Sequence, residues 1–130
     1  MSTVREMLTG FVAAVAAMIM INGAALAEGD AAAGEKVYKK CKTCHVIDAE
    51  KNKVGPHLVG IVGRAAGVAD GFKYSKAMME SGITWDEATI AAYLADPKGY
   101  IKGNKMAFAG LKKEDDIADV IAYMKEAAAQ

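Results

Sequence analysis

Residues 41–45 read Cys41-Lys42-Thr43-Cys44-His45, and these are the only two cysteines in the 130-residue chain. A bridge between thiols three residues apart would close a tiny loop and constrain the unfolded chain very little. The string C-x-x-C-H is instead the attachment signature of c-type haem, in which two thiols form thioethers with the porphyrin vinyl groups and the adjacent imidazole binds iron. The spacing has a mechanical reason. Cysteines three apart at a helix end point to one side, and the next residue can turn its ring beneath the metal. Two other chemistries use the same residues. A zinc site would recruit Cys41, Cys44, His45 and His57, but sequence neighbours such as Cys44 and His45 can hardly fill two corners of one tetrahedron. A redox dithiol needs a βαβ scaffold around its cysteines, and the chain offers no convincing strands.

Upstream of this motif lies a segment with the form of an export signal. A short basic region carrying Arg5 precedes an uncharged apolar run at 11–21, and Ala25-Leu26-Ala27 is followed at once by Glu28. This predicts a secretory signal peptide over 1–27, cleaved after Ala27, and a mature domain over 28–130 in the periplasm. The competing reading is an uncleaved membrane anchor, which the Asn22-Gly23 interruption disfavours.

Downstream, helices and glycines alternate. The pattern predicts a first helix from 31 to about 42, with Val37 and Tyr38 facing inward. Glycines at 55, 60, 63, 67 and 71 leave 46–74 as mostly loop. Thr84 and Glu87 have the spacing of a capping box, opening a helix that buries Ile90, Tyr93 and Leu94 and stops at Asp96-Pro97. Ile117, Val120, Ile121 and Met124 fall at i, i+3, i+4 and i+7 behind three acidic residues, the form of a last amphipathic helix. The predicted class is all-α, with three to five helices and glycine-rich loops.

The composition bounds the function. Sixteen basic residues balance sixteen acidic ones, which excludes a basic protein built to coat nucleic acid and also an acidic disordered tail. The chain is 53% hydrophobic, but 26 residues are alanine and only 7% are aromatic, so its own side chains fill a core poorly. A porphyrin would supply the missing apolar body.

An iron bound by His45 needs a sixth ligand or an open site. Met124 continues the apolar stripe of the last helix and reads as core, while adjacent Met78 and Met79 read as packing or surface residues. His57 is only twelve residues from His45, a short loop for a bis-histidine site. Met106 lies in Gly103-Asn104-Lys105-Met106-Ala107-Phe108-Ala109-Gly110, where glycines on both sides let a thioether be aimed.

With these motifs in order, the chain resembles the class I c-type cytochromes, in particular the cytochromes c2 and mitochondrial cytochromes c. The likeness runs through CKTCH (41–45), GPHLVGIVGR (55–64), GFKYS (71–75), GITWDEATIAAYLADPKGYI (82–101), GNKMAFAGLKK (103–113) and DDIADVIAYMKE (115–126). The resemblance implies a cytochrome c fold around one covalent haem c on Cys41 and Cys44, with His45 and Met106 as axial ligands. It further implies that the Pro56 carbonyl accepts the other imidazole proton, and that Arg64, Tyr74 and Trp85 hydrogen-bond the haem propionates. In the same way Tyr93 sets its hydroxyl beside the methionine sulfur, Phe108 closes the pocket, and Gly34 lets the first and last helices cross. Four positions depart from the pattern. Asn104 stands for a threonine that donates to a propionate, Lys102 for a proline, and Met78 and His57 each for an asparagine. Asn104 is still able to donate, and the changes are expected to alter potential and loop lability rather than ligand identity.

The implied function is a soluble, monomeric periplasmic carrier that shuttles single electrons and is not an enzyme. Its partners would be a cytochrome bc1-type reductase and a cytochrome oxidase or photosynthetic reaction centre, with no nucleic acid involved. A haem enzyme or sensor with a labile sixth ligand, such as a small peroxidase, is the other class. Charge by segment is +4 over 36–53 and +5 over 98–113, against −3, −2 and −4 over 28–35, 54–97 and 114–130. The two basic blocks carry the haem motif and Met106. Lys36, Lys40, Lys42, Lys53, Lys98, Lys105, Lys112 and Lys113 are therefore expected to ring the exposed haem edge and steer docking to an acidic partner.

Overall fold

A computed structural model describes residues 28–128, so the expected export segment lies outside the described residues. Five helices follow in order, α1 (Ala31–Tyr38), α2 (Lys76–Met79), α3 (Glu87–Ala95), α4 (Pro97–Tyr100) and α5 (Glu114–Ala128). The only β feature among the described residues is an isolated antiparallel bridge between Ala65 and Thr84. The long span between α1 and α2 is loop and turn, as its glycines predict.

Helices α1 and α5 pack against each other and form the frame. A Cβ on Gly34 would collide with the Asp119 carbonyl, so a missing side chain is what permits the crossing. Asp30 caps α1 by accepting the Ala32 amide at 2.9 Å, and its own amide donates to Asp119 Oδ1 at 2.8 Å, tying cap to partner helix. On α5 the predicted stripe is buried, with Val120 fully inaccessible. Tyr38 stacks on Tyr123 across the crossing, ring centroids 5.1 Å apart.

Two expectations are corrected. The first helix ends at Tyr38 rather than near residue 42. From there the chain tightens into turns, with Cys41 N–H donating to the Tyr38 carbonyl at 2.8 Å and Cys44 N–H to the Cys41 carbonyl at 3.0 Å. The same carbonyls also accept the Lys42 amide at 3.0 Å and the His45 amide at 2.9 Å, so i→i+3 and i→i+4 bonds are mixed and the regular ladder of the helix stops. The second correction concerns α3. Its capping box is Asp86 with Thr89, not Thr84 with Glu87. Asp86 Oδ1 accepts the Thr89 amide, and Thr89 Oγ1 accepts the Asp86 amide, each at 2.8 Å. Thr84 cannot start the helix because the chain is still extended there. Trp85 donates its amide to the Arg64 carbonyl at 2.8 Å and accepts from the Gly63 amide, so helical winding waits until Asp86.

Two one-turn helices were not foreseen. Ser75 Oγ accepts the Met78 amide at 3.1 Å and starts α2. Asp96-Pro97 does stop α3, as expected, but the same pair then starts α4. Asp96, held at φ −154° before the proline, accepts the Gly99 amide at 3.1 Å, and Pro97 occupies the first turn, where no amide is needed.

Candidate cofactor site

Cys41, Cys44 and His45 leave the turns after α1 and line a cavity of about 270 Å3. Leu58, Ile61, Ile90 and Leu94 form apolar walls, and Met106 and Phe108 enter from the loop between α4 and α5. The motif and the methionine, 61 positions apart in sequence, thus meet at one space. Of the other methionines, Met78 and Met124 also contribute wall, and Met79 is exposed.

His45 is oriented by its neighbours. Its Nδ1 lies 2.7 Å from the Pro56 carbonyl and so carries the proton donated to that oxygen, which leaves Nε2 with a free lone pair. Burial chiefly lowers the pKa of this imidazole. The Pro56 bond opposes the shift and the Arg64 charge adds to it. A neutral ring with one nitrogen tied back is the form that ligates a metal. Gly55 makes room for it, since a Cβ there would stand 2.8 Å from Nδ1.

The Cys41 thiol is not set up for redox exchange. Burial, followed by repulsion from Cys44, raises the Cys41 pKa to about 11, whereas exchange-active cysteines have depressed values. No group of three or more His, Cys, Asp or Glu side chains among the described residues is arranged to hold a metal ion. His57 is committed elsewhere. Its Nδ1 accepts the Val59 amide at 3.2 Å, and its carbonyl accepts from Arg64 Nη2 at 2.9 Å. Sequence reasoning missed this role of His57 as a support for Arg64.

Arg64 is the strongest polar clue to what fills the cavity. Nη1 and Nη2 donate to the carbonyls of Val59 and His57, yet buried Nε has no partner. Burial destabilises the guanidinium charge, with Tyr74 partly offsetting that effect. An anionic oxygen in the cavity would satisfy both needs, and a propionate provides one. Tyr74 uses its hydroxyl oxygen to accept the Ala69 amide at 3.0 Å, leaving its hydrogen available, and Trp85 lies on the same wall. Tyr93, whose pKa burial raises to about 12, stays neutral and holds its hydroxyl 3.8 Å from Met106 Sδ.

Asn104 behaves differently from expectation. It is buried and is not among the residues lining the cavity. Its Nδ2 donates to the carbonyls of Pro97 at 2.7 Å and Ile101 at 2.8 Å, so neither amide hydrogen is left for a propionate. The side chain fastens the loop instead.

All eight named lysines are exposed. Lys40 and Lys105, one from each basic block, line the cavity itself. Lys53 Nζ donates to the Lys42 carbonyl at 3.2 Å, and Lys112 Nζ to that of Ala109 at 3.2 Å. Lys36 is carried by α1, Lys98 by α4, and Lys113 directly precedes α5.

The residues present therefore fit a porphyrin with thioether links, an axial imidazole and buried propionates. Comparison with known proteins agrees. The Cytochrome c family model matches residues 31–128. Cytochrome c2 iso-2 of Magnetospirillum fulvum is 60% identical over 88 residues, covering 68% of this chain and 92% of that protein. Cytochrome c of Chlamydomonas reinhardtii is 55% identical over 105 residues, covering 78% and 92% respectively. The solved structure of cytochrome cH from Methylobacterium extorquens superposes with a TM-score of 0.72 at 50% identity, covering 75% of this chain and 99% of that one. The chain belongs to the cytochrome c family, with the cytochrome c fold and one covalently attached haem c.

Proposed function

We propose that this protein is a periplasmic one-electron carrier whose haem is linked through Cys41 and Cys44 and ligated by His45 and Met106. The observation that carries this reading is the convergence of those four side chains on one apolar cavity. The haem supplies a one-electron couple. The protein holds and tunes it. His45, tied to Pro56, offers Nε2 as a neutral donor, and Met106 offers a soft thioether that favours ferrous iron. The apolar walls disfavour the additional charge of the ferric state, so the potential is raised. With His45 and Met106 both bound to it, the iron would have no position for oxygen or substrate, and the protein would carry electrons without making or breaking bonds.

Export by the segment 1–27 fits the attachment chemistry, and no helix among the described residues is long and apolar enough to cross a membrane. Relatives named cytochrome c2 support the carrier reading, and its proposed partners are membrane redox complexes, a bc1-type reductase on one side and an oxidase or photosynthetic reaction centre on the other. Exposed Lys40 and Lys105 at the cavity give an acidic partner its foothold.

The ferric spectrum tests the ligand set. The weak long-wavelength sulfur-to-iron band is expected in the wild type and lost in Met106→Ala, and the reduced wild type should bind almost no carbon monoxide. Ready carbon monoxide binding by the reduced wild type would instead indicate the enzyme or sensor class. Electron-transfer rates to an acidic partner should fall with ionic strength, and a flat dependence would remove the lysine docking face.

A further inference from the structure

Asn104 is buried, and every hydrogen-bonding position of its side chain is used. Nδ2 donates to the carbonyls of Pro97 and Ile101, while Oδ1 accepts the Met106 amide at 2.9 Å and lies 3.4 Å from the Tyr93 hydroxyl. The partners fix the orientation of the amide, since two carbonyls can only accept and a backbone N–H can only donate. One side chain thus joins α4, through Pro97, to the backbone of Met106. The Tyr93 hydroxyl has two acceptors within reach, Asn104 Oδ1 and the Met106 sulfur, and a carboxamide oxygen is the stronger acceptor.

We propose that Asn104 is the positioning residue of Met106, clamping its loop and drawing the Tyr93 hydroxyl hydrogen away from the sulfur. This rests on Met106 being the axial ligand. Neither part of the role is open to an arbitrary polar residue at position 104. Threonine has one donor and cannot serve both carbonyls, and aspartate would set a carboxylate against them. The clamp keeps the sulfur at the metal by restraining the backbone on which it is carried. Sequestering the hydroxyl leaves both sulfur lone pairs free of a donated hydrogen bond, so the thioether remains a full electron donor.

The test uses the haem-loaded protein and its Asn104→Ala, Asn104→Thr and Tyr93→Phe variants. Titration of the ferric protein with imidazole reads how readily Met106 leaves. Loss of the clamp should tighten imidazole binding about tenfold in N104A, in line with the loss of one to two buried hydrogen bonds, and by less in N104T. Reduction potentials of wild type, N104A, Y93F and the double variant form a cycle. With Asn104 absent, the hydroxyl turns to the sulfur, so the Y93F step should lower the potential more in the N104A background than in the wild type. Unchanged imidazole affinity in N104T, which retains a polar group and the fold, would overturn the clamp. Equal Y93F steps in both backgrounds would overturn the sequestration. A wild-type ferric spectrum with no sulfur-to-iron band would overturn the ligand assignment and this inference with it, and that result is distinct from a band insensitive to Asn104.

Discussion

Gly55→Ala places a methyl group against the His45 ring and tests the proximal side of the site directly. The added Cβ would stand 2.8 Å from Nδ1 and 2.9 Å from Nε2, with Cε1 nearer still. Ordinary carbon contacts begin near 3.4 Å and Cε1 is the tightest of these, so the ring or the backbone has to move by about 1 Å. The backbone is poorly placed to yield, because the Gly55 amide donates to the Cys44 carbonyl at 2.8 Å and its carbonyl accepts the Lys53 amide at 3.0 Å. The ring is therefore displaced, and a shift of that size along its 2.7 Å bond to Pro56 takes the bond outside the usual 2.7–3.2 Å range. Overpacking costs about 1–3 kcal/mol and the lost hydrogen bond about 1 kcal/mol, so the substitution should destabilise the haem-loaded protein by about 2–4 kcal/mol. For a domain of this size that lowers Tm by at least about 8 °C. Thermal unfolding followed in the haem absorption band measures the stability, and imidazole proton resonances report the His45–Pro56 bond. A variant melting within about 2 °C of wild type, with those resonances unmoved, would refute the claim that Gly55 exists to admit the ring.

Gly34→Ala drives a methyl group into the Asp119 carbonyl and toward Tyr123 Cβ at 2.9 Å, so α1 and α5 are forced apart. Urea unfolding should show a loss of at least about 1–3 kcal/mol while the sulfur-to-iron band persists, because neither Gly34 nor Asp119 lines the cavity that Met106 enters. Asp86→Ala should destabilise the protein near neutral pH, and Thr84→Ala should do so much less, since Asp86 and Thr89 form the cap. The Asp86 pKa is lowered chiefly by the Thr89 amide. Its contribution is thus present above the unfolded value of 3.8 and fades as pH falls through the lower folded value, so wild-type and D86A melting curves should converge in acid. Arg64→Lys provides one charge but not the three fixed donors, and should cost about 1–3 kcal/mol in the urea unfolding of the haem-loaded protein.

Much of the fold was legible because its signals are local. The α5 stripe depends on side-chain period alone, and the glycine-rich span announces its own lack of regular structure. Errors arose where distant residues decided the outcome. Thr84-x-x-Glu87 is a valid capping pattern, but Arg64 and Gly63, some twenty positions upstream, hold Trp85 extended and pass the cap to Asp86. The end of α1 falls early because the regular i→i+4 ladder gives way at the cysteines to turns that mix i→i+3 and i→i+4 bonds. In the site, the C-x-x-C-H string and the aimed Met106 were readable from chemistry and spacing. The part played by Asn104 was not, since its carbonyl partners depend on α4, a single turn that no periodicity reveals. His57 was likewise hidden. Its backbone carbonyl holds Arg64, and nothing in the string GPHLVGIVGR says which carbonyls the arginine reaches.

The alanine-rich composition and the cavity are two sides of one fact. Ile61, Trp85, Ile90, Leu94 and Met124 belong at once to the buried core and to the cavity wall, so the core closes around the porphyrin rather than beside it. Without the porphyrin these apolar walls lose the body they pack against and face a partly open cleft. Arg64 adds to the loss, because its buried Nε has no protein partner to replace a propionate. The chain stripped of haem should therefore lack a cooperative thermal transition and a fixed near-ultraviolet dichroism while the α1 and α5 sequences retain some helicity. Calorimetry on the haem-free chain decides the matter. A sharp endotherm there would mean that the side chains alone suffice for the core, and that the cofactor is inserted into a fold already made.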